Sequence, residues 1–587
     1  MSDSRREHER ADFDQQATRL ALMSALAVVI GLLATGGAWL LLAMIRLFTN
    51  LFYFQSLSLA PHSPAAHTLG AWAIGLPVLG GLIVGLMARL GTDKIRGHGI
   101  PEAIEAILFG QSKMSPKVAV LKPLSSGIAI GSGGPFGAEG PIIMTGGAIG
   151  SLLAQYFHLS AAERKALLVA GAAAGMTAVF GTPLAAVLLA IEVLLFELRP
   201  RSLLPVGIAC AAAGFARPWL LEPGYLFALN TGEPGPWTFL SCLLAGLVSG
   251  LLATGLSRAL YAIEDGFGLL PLHWMWWPAL GGAVVGIGGW LEPRALGVGY
   301  DVIDALLHGQ MPAGQALALI ALKAVIWLVA LGSLTSGGVL APVLTIGAGA
   351  GLLLGGVMPG GDAALWPLLC MAGVLGGVMH APLMAAAFAF GLTGDAPALL
   401  PLLTTTLVSY GVTVLMMRRS ILTEKIARRG RHIWRETGVD PLERHAVQEC
   451  MSRGVRSVDA EARVDDALRQ HFGAAQLHRA FPVLDQGRLV GMLDRETLLA
   501  AAPSASCREA CEGQALHHAL PFESCRAAAT RMARLQLERL PVVDDADGLH
   551  LVGLIARSDL VETALTHHHE EELRERPRHL AWWRSRR

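Results

Sequence analysis

The sequence predicts a mainly α-helical protein that crosses a membrane many times and ends in a tandem pair of small α/β units. Three observations predict it. The 587 residues are 53% hydrophobic and only 16% charged, with a mean hydropathy of +0.49, a balance that soluble proteins rarely show. Several apolar tracts exceed the roughly 20 residues needed to cross the hydrocarbon core. After about Met417 the composition changes sharply, and beyond about His445 helical and β-rich runs alternate twice in the same order.

The first tract, Leu20 to Ile45, follows a charged N-terminus and is too long for the apolar core of a cleavable leader, so it reads as a retained span. Leu69 to Leu90 is a second. Arg5, Arg6, Arg10 and Arg19 precede the first span, and Lys425, Arg428, Arg429 and Arg431 follow the last. By the positive-inside rule both termini are expected in the cytoplasm. The expected organisation is a cytoplasmic segment over 1–19, a membrane domain over 20–424, a linker over 425–446, α/β units over 447–502 and 509–566, and a charged tail over 567–587. His567 to His569 in that tail read as a solvated run rather than a metal site. The seven cysteines show no CxxC pair; Cys507 and Cys511, four apart, share a helix face but lack histidine partners, so free thiols and no metal are expected.

Within the membrane domain several tracts are short and interrupted by glycine or proline: Pro135 to Leu153, Gly337 to Leu354 and Gly373 to Phe390. Broken helices at membrane depth are tolerated where they line an enclosed or watery cavity. The tracts also repeat. "GAEGPIIMTGGAIG" from Gly137 and "GVLAPVLTIGAGAG" from Gly338 share a glycine and proline spacing at an offset of 201 residues. "AGAAAGMTAVFGTPLAA" from Ala170 is echoed by "AGVLGGVMHAPLMAA" from Ala372 at nearly the same offset. Paired halves with interrupted helices are the mark of transporter folds whose ion site lies at the repeat interface.

Glu139 stands inside the first of these glycine-rich elements, where an ionised side chain costs about 2.5–3.5 kcal/mol even on lenient insertion scales. A helix that begins inside the membrane presents unpaired N–H groups and the positive end of its dipole, and therefore attracts an anion without a full positive charge. The glycines before Pro141 and Pro342 allow close approach of backbone to ligand, and each proline suits a first helical turn. Two such starts, one per repeat, can cradle one anion between them. Glu139 then reads as a carboxylate that competes with the anion for the same N–H groups when ionised and swings away when protonated.

With these residues in view, the chain resembles the CLC family of chloride channels and chloride/proton antiporters over roughly residues 20 to 435. "GHGIPE" at Gly97 to Glu102, "GAEGP" at Gly137 to Pro141 and "GGVLAP" at Gly337 to Pro342 match three family signatures in order. The resemblance implies a homodimer with one pore per protomer, each protomer an inverted repeat of tilted helices. It implies that Glu139 is the gate and that the amides of Val339 and Leu340 hold the central anion. It also implies that Gly97, His98, Gly99, Ile100 and Pro101 line the inner path, with Ala138 and Gly140 flanking the gate and Gly137, Pro141, Gly337, Gly338 and Pro342 shaping the backbone. His98 stands where the family's chloride-coordinating serine stands, and Leu422 replaces its coordinating tyrosine. Glu192 matches a widely retained acid. Val193 stands where antiporters carry their inner proton-transfer glutamate, which implies channel-like behaviour, with Glu197 one turn further as the candidate substitute relay.

The C-terminal units resemble a pair of cystathionine-β-synthase-type (CBS) domains, which often bind adenine nucleotides. The ribose-binding T/S-x-x-D pattern is degraded in both, reading Asp494 to Thr497 and Ala556 to Asp559, so Asp559 is the one candidate contact to a nucleotide and a structural role competes with it. The expected function is anion transport in a bacterial inner membrane, with chloride and the lipid bilayer as partners, no nucleic acid, no enzymatic activity and no required cofactor. The alternative is a chloride/proton antiporter. An intramembrane metalloprotease with CBS domains would need HExxH, which does not occur, and a magnesium channel would need carboxylates clustered in the apolar tracts.

Overall fold

The computed structural model describes residues 3–196, 200–430, 441–472, 479–545 and 548–563. They fall into two compact units that divide after Gly430. The first unit is helical. Its first half runs α1 (Asp3–Phe54), α2 (Gly75–Leu90), α3 (Ile100–Leu108), α4 (Pro116–Gly131), α5 (Glu139–Ala154), α6 (Ala161–Phe180), α7 (Pro183–Leu189, continuing as a π-helical turn over Ala190–Leu195) and α8 (Pro200–Leu220). The second half repeats the order with α9 (Thr238–Gly268), α10 (Trp277–Leu291), α11 (Tyr300–Leu307), α12 (Ala313–Gly332), α13 (Leu340–Gly355), α14 (Leu365–Met379), α15 (Pro382–Thr393) and α16 (Leu399–Met416). Among the described residues six helices are long and apolar enough to cross a membrane, the first over Thr18–Phe54 and the second over Gly70–Leu90. Of the interrupted tracts, Pro135 to Leu153 forms α5, Gly337 to Leu354 forms the short apolar helix α13, and Gly373 to Phe390 falls on the short apolar helices α14 and α15.

The sequence echo after Ala170 has a backbone cause. Gly181 ends α6 in the left-handed region at φ 70°, and His380 ends α14 at φ 54°; Pro183 and Pro382 then open the next helix of each half. A left-handed stop followed by proline breaks the helix sharply. α6 opens on a capping box between Ser160 and Glu163, so both ends of this buried helix are specified locally.

The two halves meet reciprocally. A Cβ on Gly81 of α2 would stand 2.3 Å from the carbonyl oxygen of Pro278, and one on Gly282 of α10 would stand 2.3 Å from that of Pro77. Gly85 lies against the Met275 carbonyl and Gly286 against that of Ile74 in the same way. As the α2 number rises its α10 partner falls, so the two helices cross antiparallel about a pseudo-twofold axis. With α2 part of the candidate span Gly70–Leu90, an axis perpendicular to the pair lies in the membrane plane. That is the geometry of an inverted repeat.

A further helix, α17 (Ile421–Arg428), belongs to this unit, which therefore runs past the expected boundary at 424. It opens on a Ser420–Thr423 capping pair and is tied back by ion pairs to α3, so the basic cluster expected to begin a linker is part of the folded unit up to Gly430. Arg431, like Glu197, His567 to His569 and the rest of the expected tail from 567, lies outside the described residues.

The second unit contains the expected α/β pair. In the first copy β1 (Val458–Asp459) runs parallel to β2 (Ala480–Asp485), which pairs antiparallel with β3 (Arg488–Asp494), flanked by α18 (Val464–His471) and α19 (Arg495–Ala500). In the second, Ala519 bridges parallel to Val542 in β4 (Arg539–Val543), which pairs antiparallel with β5 (Leu551–Ala556) beside α20 (Cys525–Leu535). The cores interleave along the chain. Val447 packs in the second core, held by bridges Ala446–Ser524 and Ser452–Leu554, whereas Cys507 and Cys511 pack in the first. The segment preceding the first copy thus completes the second. The seven cysteines are free thiols.

Candidate functional site

Three glycine-rich segments far apart in sequence come together where α3, α5 and α13 begin. The Gly97 amide donates to the Leu334 carbonyl at 3.4 Å, and the Gly337 amide returns a bond to the Gly97 carbonyl at 3.4 Å. The Gly338 amide donates to the Gly137 carbonyl at 3.1 Å. Gly99, at φ 88°, precedes Ile100 and Pro101 at the start of α3, a conformation that a side chain would strain. A Cβ on Gly140 would meet the His98 carbonyl at 1.9 Å, so only glycine lets α3 and α5 start this close. The structure therefore joins the Gly97–Pro101, Gly137–Pro141 and Gly337–Pro342 segments that the sequence singled out.

Glu139 opens α5 and is fully buried. Its Oε1 accepts a hydrogen bond from the Leu340 amide, across the interface between the repeats. The amides of Glu139 itself and of Ala341 also face the carboxyl group. Ala138 and Val339 are the residues immediately before α5 and α13, and Pro141 and Pro342 stand in their first turns. Two helix starts thus converge on one carboxylate, an arrangement whose N–H groups and dipoles favour negative charge. Glu139 Oε2 is buried without a partner.

Two lysines that sequence reasoning passed over support these segments. Lys122 of α4 is fully buried, and its Nζ donates to the carbonyls of Ile95 at 2.9 Å and Gly97 at 2.7 Å and to Ser336 Oγ at 3.1 Å. Lys323 of α12, also fully buried, donates to the Gly297 carbonyl at 3.0 Å. The second stands 201 residues after the first, at the offset of the glycine motifs. Each places a hydrogen-bond donor behind the irregular loop that opens α3 or α11. The signal was legible as a charge inside an apolar tract at the repeat offset.

His98 is 3% exposed and its Nδ1 is buried without a partner. Four residues on, Glu102 pairs with Lys425 at 3.4 Å and Arg429 at 3.1 Å, and Arg429 also reaches Glu105 at 2.6 Å. These pairs fasten α17 to α3. Leu422 is fully buried in α17, so the position implied for a coordinating tyrosine holds a packed aliphatic side chain.

Glu192 accepts from the amides of Leu383 at 3.3 Å and Met384 at 2.8 Å, capping the start of α15 from the π-helical turn. Val193 is fully buried. In the second unit, Asp559 Oδ2 accepts from the Ala556 amide at 2.9 Å, and Asp494 Oδ1 from the Thr497 amide at 2.8 Å. Both aspartates cap their own turns.

A model of the voltage-gated chloride channel family matches residues 80–414, and a model of the CBS domain matches 447–504 and 516–565. A voltage-gated ClC-type chloride channel, ClcB, from Salmonella dublin is 31% identical over 343 residues, covering 56% of this chain and 82% of the relative. The crystal structure of a slow cyanobacterial Cl−/H+ antiporter superposes with a TM-score of 0.62 at 21% identity, covering 69% of this chain and 97% of that one. The crystal structure of a eukaryotic CLC transporter reaches 0.61 at 19% identity and covers 92% of this chain and 98% of its own. At those identities the two structures speak for the fold alone.

Proposed function

Because the chain belongs to the voltage-gated chloride channel family, integral membrane proteins that move ions and are not enzymes, we propose that it conducts chloride and similar small anions through a pore gated by Glu139. One observation carries the reading: the Glu139 carboxylate accepts the Leu340 amide at the meeting of two helix starts, so it and an anion compete for one seat. Ionised, it blocks. Protonated, it loses its advantage over chloride and withdraws. Val339, Leu340, Ala138 and Gly140 supply the surrounding backbone, and His98, Gly99 and Ile100 form the inner approach.

The pore works as a channel in this reading, because Val193 offers no titratable group towards the inner side. The protein acts as a homodimer in a bacterial inner membrane with both termini cytoplasmic. CBS domains as a class can bind adenine nucleotides. Here the capping duties of Asp559 and Asp494 favour a structural, dimer-stabilising role over nucleotide binding.

Proton exchange is the second reading, favoured by the buried, unpartnered Glu102 Oε2 and His98 Nδ1 near the start of α3. The deciding experiment imposes a chloride gradient on proteoliposomes at equal pH. Chloride efflux without sustained uphill proton movement is expected. A stoichiometric proton flux that Glu139→Ala eliminates would establish the exchanger instead. For His98, replacement by Ser is expected to raise the chloride-to-nitrate flux ratio at unchanged expression, because it exchanges one polar group on the inner path for a smaller hydroxyl. An unchanged ratio would remove His98 from the path.

A further inference from the structure

Tyr300 is the first residue of α11, in the repeat-related counterpart of the loop that carries His98. Gly299 before it has φ 77°, as Gly99 has 88° in the other half, so Tyr300 takes the place of Ile100. Its ring is clamped edge-on by Phe180, with centroids 6.4 Å apart and planes at 78°, and by Phe227 at 6.2 Å and 67°. Two edge contacts hold the ring in one pose, so its hydroxyl has a defined position. That hydroxyl is buried without a hydrogen-bond partner. A buried polar group left unpaired is rare enough to need an explanation.

The charge that acts on the phenol is that of Glu139, whose Oε2 is likewise buried without a partner. We propose that the Tyr300 hydroxyl is the dock for the protonated Glu139 carboxyl group once it leaves its seat between α5 and α13. In the seated state Leu340 holds Oε1. After protonation the carboxylic O–H donates to Tyr300 Oη, and the vacated amides face the anion. Tyr300 is a positioning residue, acting on the permeating ion only through Glu139, and the proposal rests on the reading of Glu139 as the gate.

Other charges nearby have their own partners. Asp301, next on α11, accepts from Ser63 Oγ at 3.1 Å, and Lys323 of α12 donates to Gly297. α13 and α15 carry no charged side chain, those of α6 lie in its first turn, and the loop bearing Phe227 offers Glu222, Tyr225 and Glu233, all exposed.

The test is the pH profile of chloride efflux from proteoliposomes for wild type, Tyr300→Phe, Glu139→Gln and Glu139→Ala with and without Tyr300→Phe. Tyr300→Phe keeps both ring contacts and removes one hydrogen bond to the protonated gate. The activation midpoint should therefore move to lower pH by roughly half to one unit, with the acid plateau unchanged. In the Glu139→Ala background the same substitution should change nothing. A midpoint that stays at the wild-type value, while Glu139→Gln abolishes the pH response, would overturn the dock and leave the gate standing. A wild-type pH response in Glu139→Gln would overturn the gate and the dock together.

Discussion

Glu139→Gln is expected to free chloride flux from pH control, holding it near the wild-type acid plateau across the neutral range. The substitution keeps the shape of the side chain and removes its charge. A neutral amide oxygen can still accept from the Leu340 amide, but a charge-assisted bond is about twice as strong as a neutral one. Chloride then competes for the two helix starts with a weaker rival, and flux at neutral pH should rise roughly tenfold, the equivalent of a charge-assisted bond weakened to a neutral one. Efflux at several pH values from liposomes with matched protein content reads this directly. A variant that retains the wild-type pH response would show that the gate lies elsewhere.

Lys122→Met should be the most damaging single change to the scaffold. Methionine fills most of the lysine's volume but removes three hydrogen bonds inside a buried site and takes the donor from the Ile95 carbonyl, whereas the Gly97 carbonyl keeps the Gly337 amide and Ser336 keeps Ser125 and Ser126. Each lost bond costs about 0.5–1.5 kcal/mol and the stranded carbonyl about 1–3 kcal/mol, so several kcal/mol of stability are at stake, enough to lower the melting temperature in detergent and the yield of folded protein. Lys323→Met strands the Gly297 carbonyl alone among the bonds drawn from its Nζ and should fall well short of that loss. Equal melting temperatures for the two variants would contradict the unequal anchoring.

The helical breaks and the repeat were readable because they are written in residues with few alternatives: glycine at positive φ, proline in a first turn, and matched spacing at 201 residues between Gly137 and Gly338. The α/β pair was readable from its repeated order of elements. Partnership was harder to read. Nothing local says that Lys122 reaches the Gly97 carbonyl and Ser336, because a buried lysine looks alike whether it serves a ligand or the backbone. The role of Glu192 in capping α15 depends on a contact nearly two hundred residues away, and a carboxylate beside a π-helical turn carries no mark of it. The interleaving of the CBS cores escaped for a related reason. A boundary drawn from composition follows chain order, whereas Val447 finds its apolar surroundings in the later copy.

The bond from Lys122 to Ser336 also sets a schedule for biogenesis. A ribosome adds about 5–20 residues per second, so the 214 residues between donor and acceptor occupy roughly 10–40 s of synthesis. Throughout that interval the first half sits in the bilayer with a lysine that has only its Ile95 and Gly97 acceptors and a glycine loop whose second-half partners do not yet exist. Insertion machinery, or water reaching the open face of the half-made domain, must shelter them until α13 arrives.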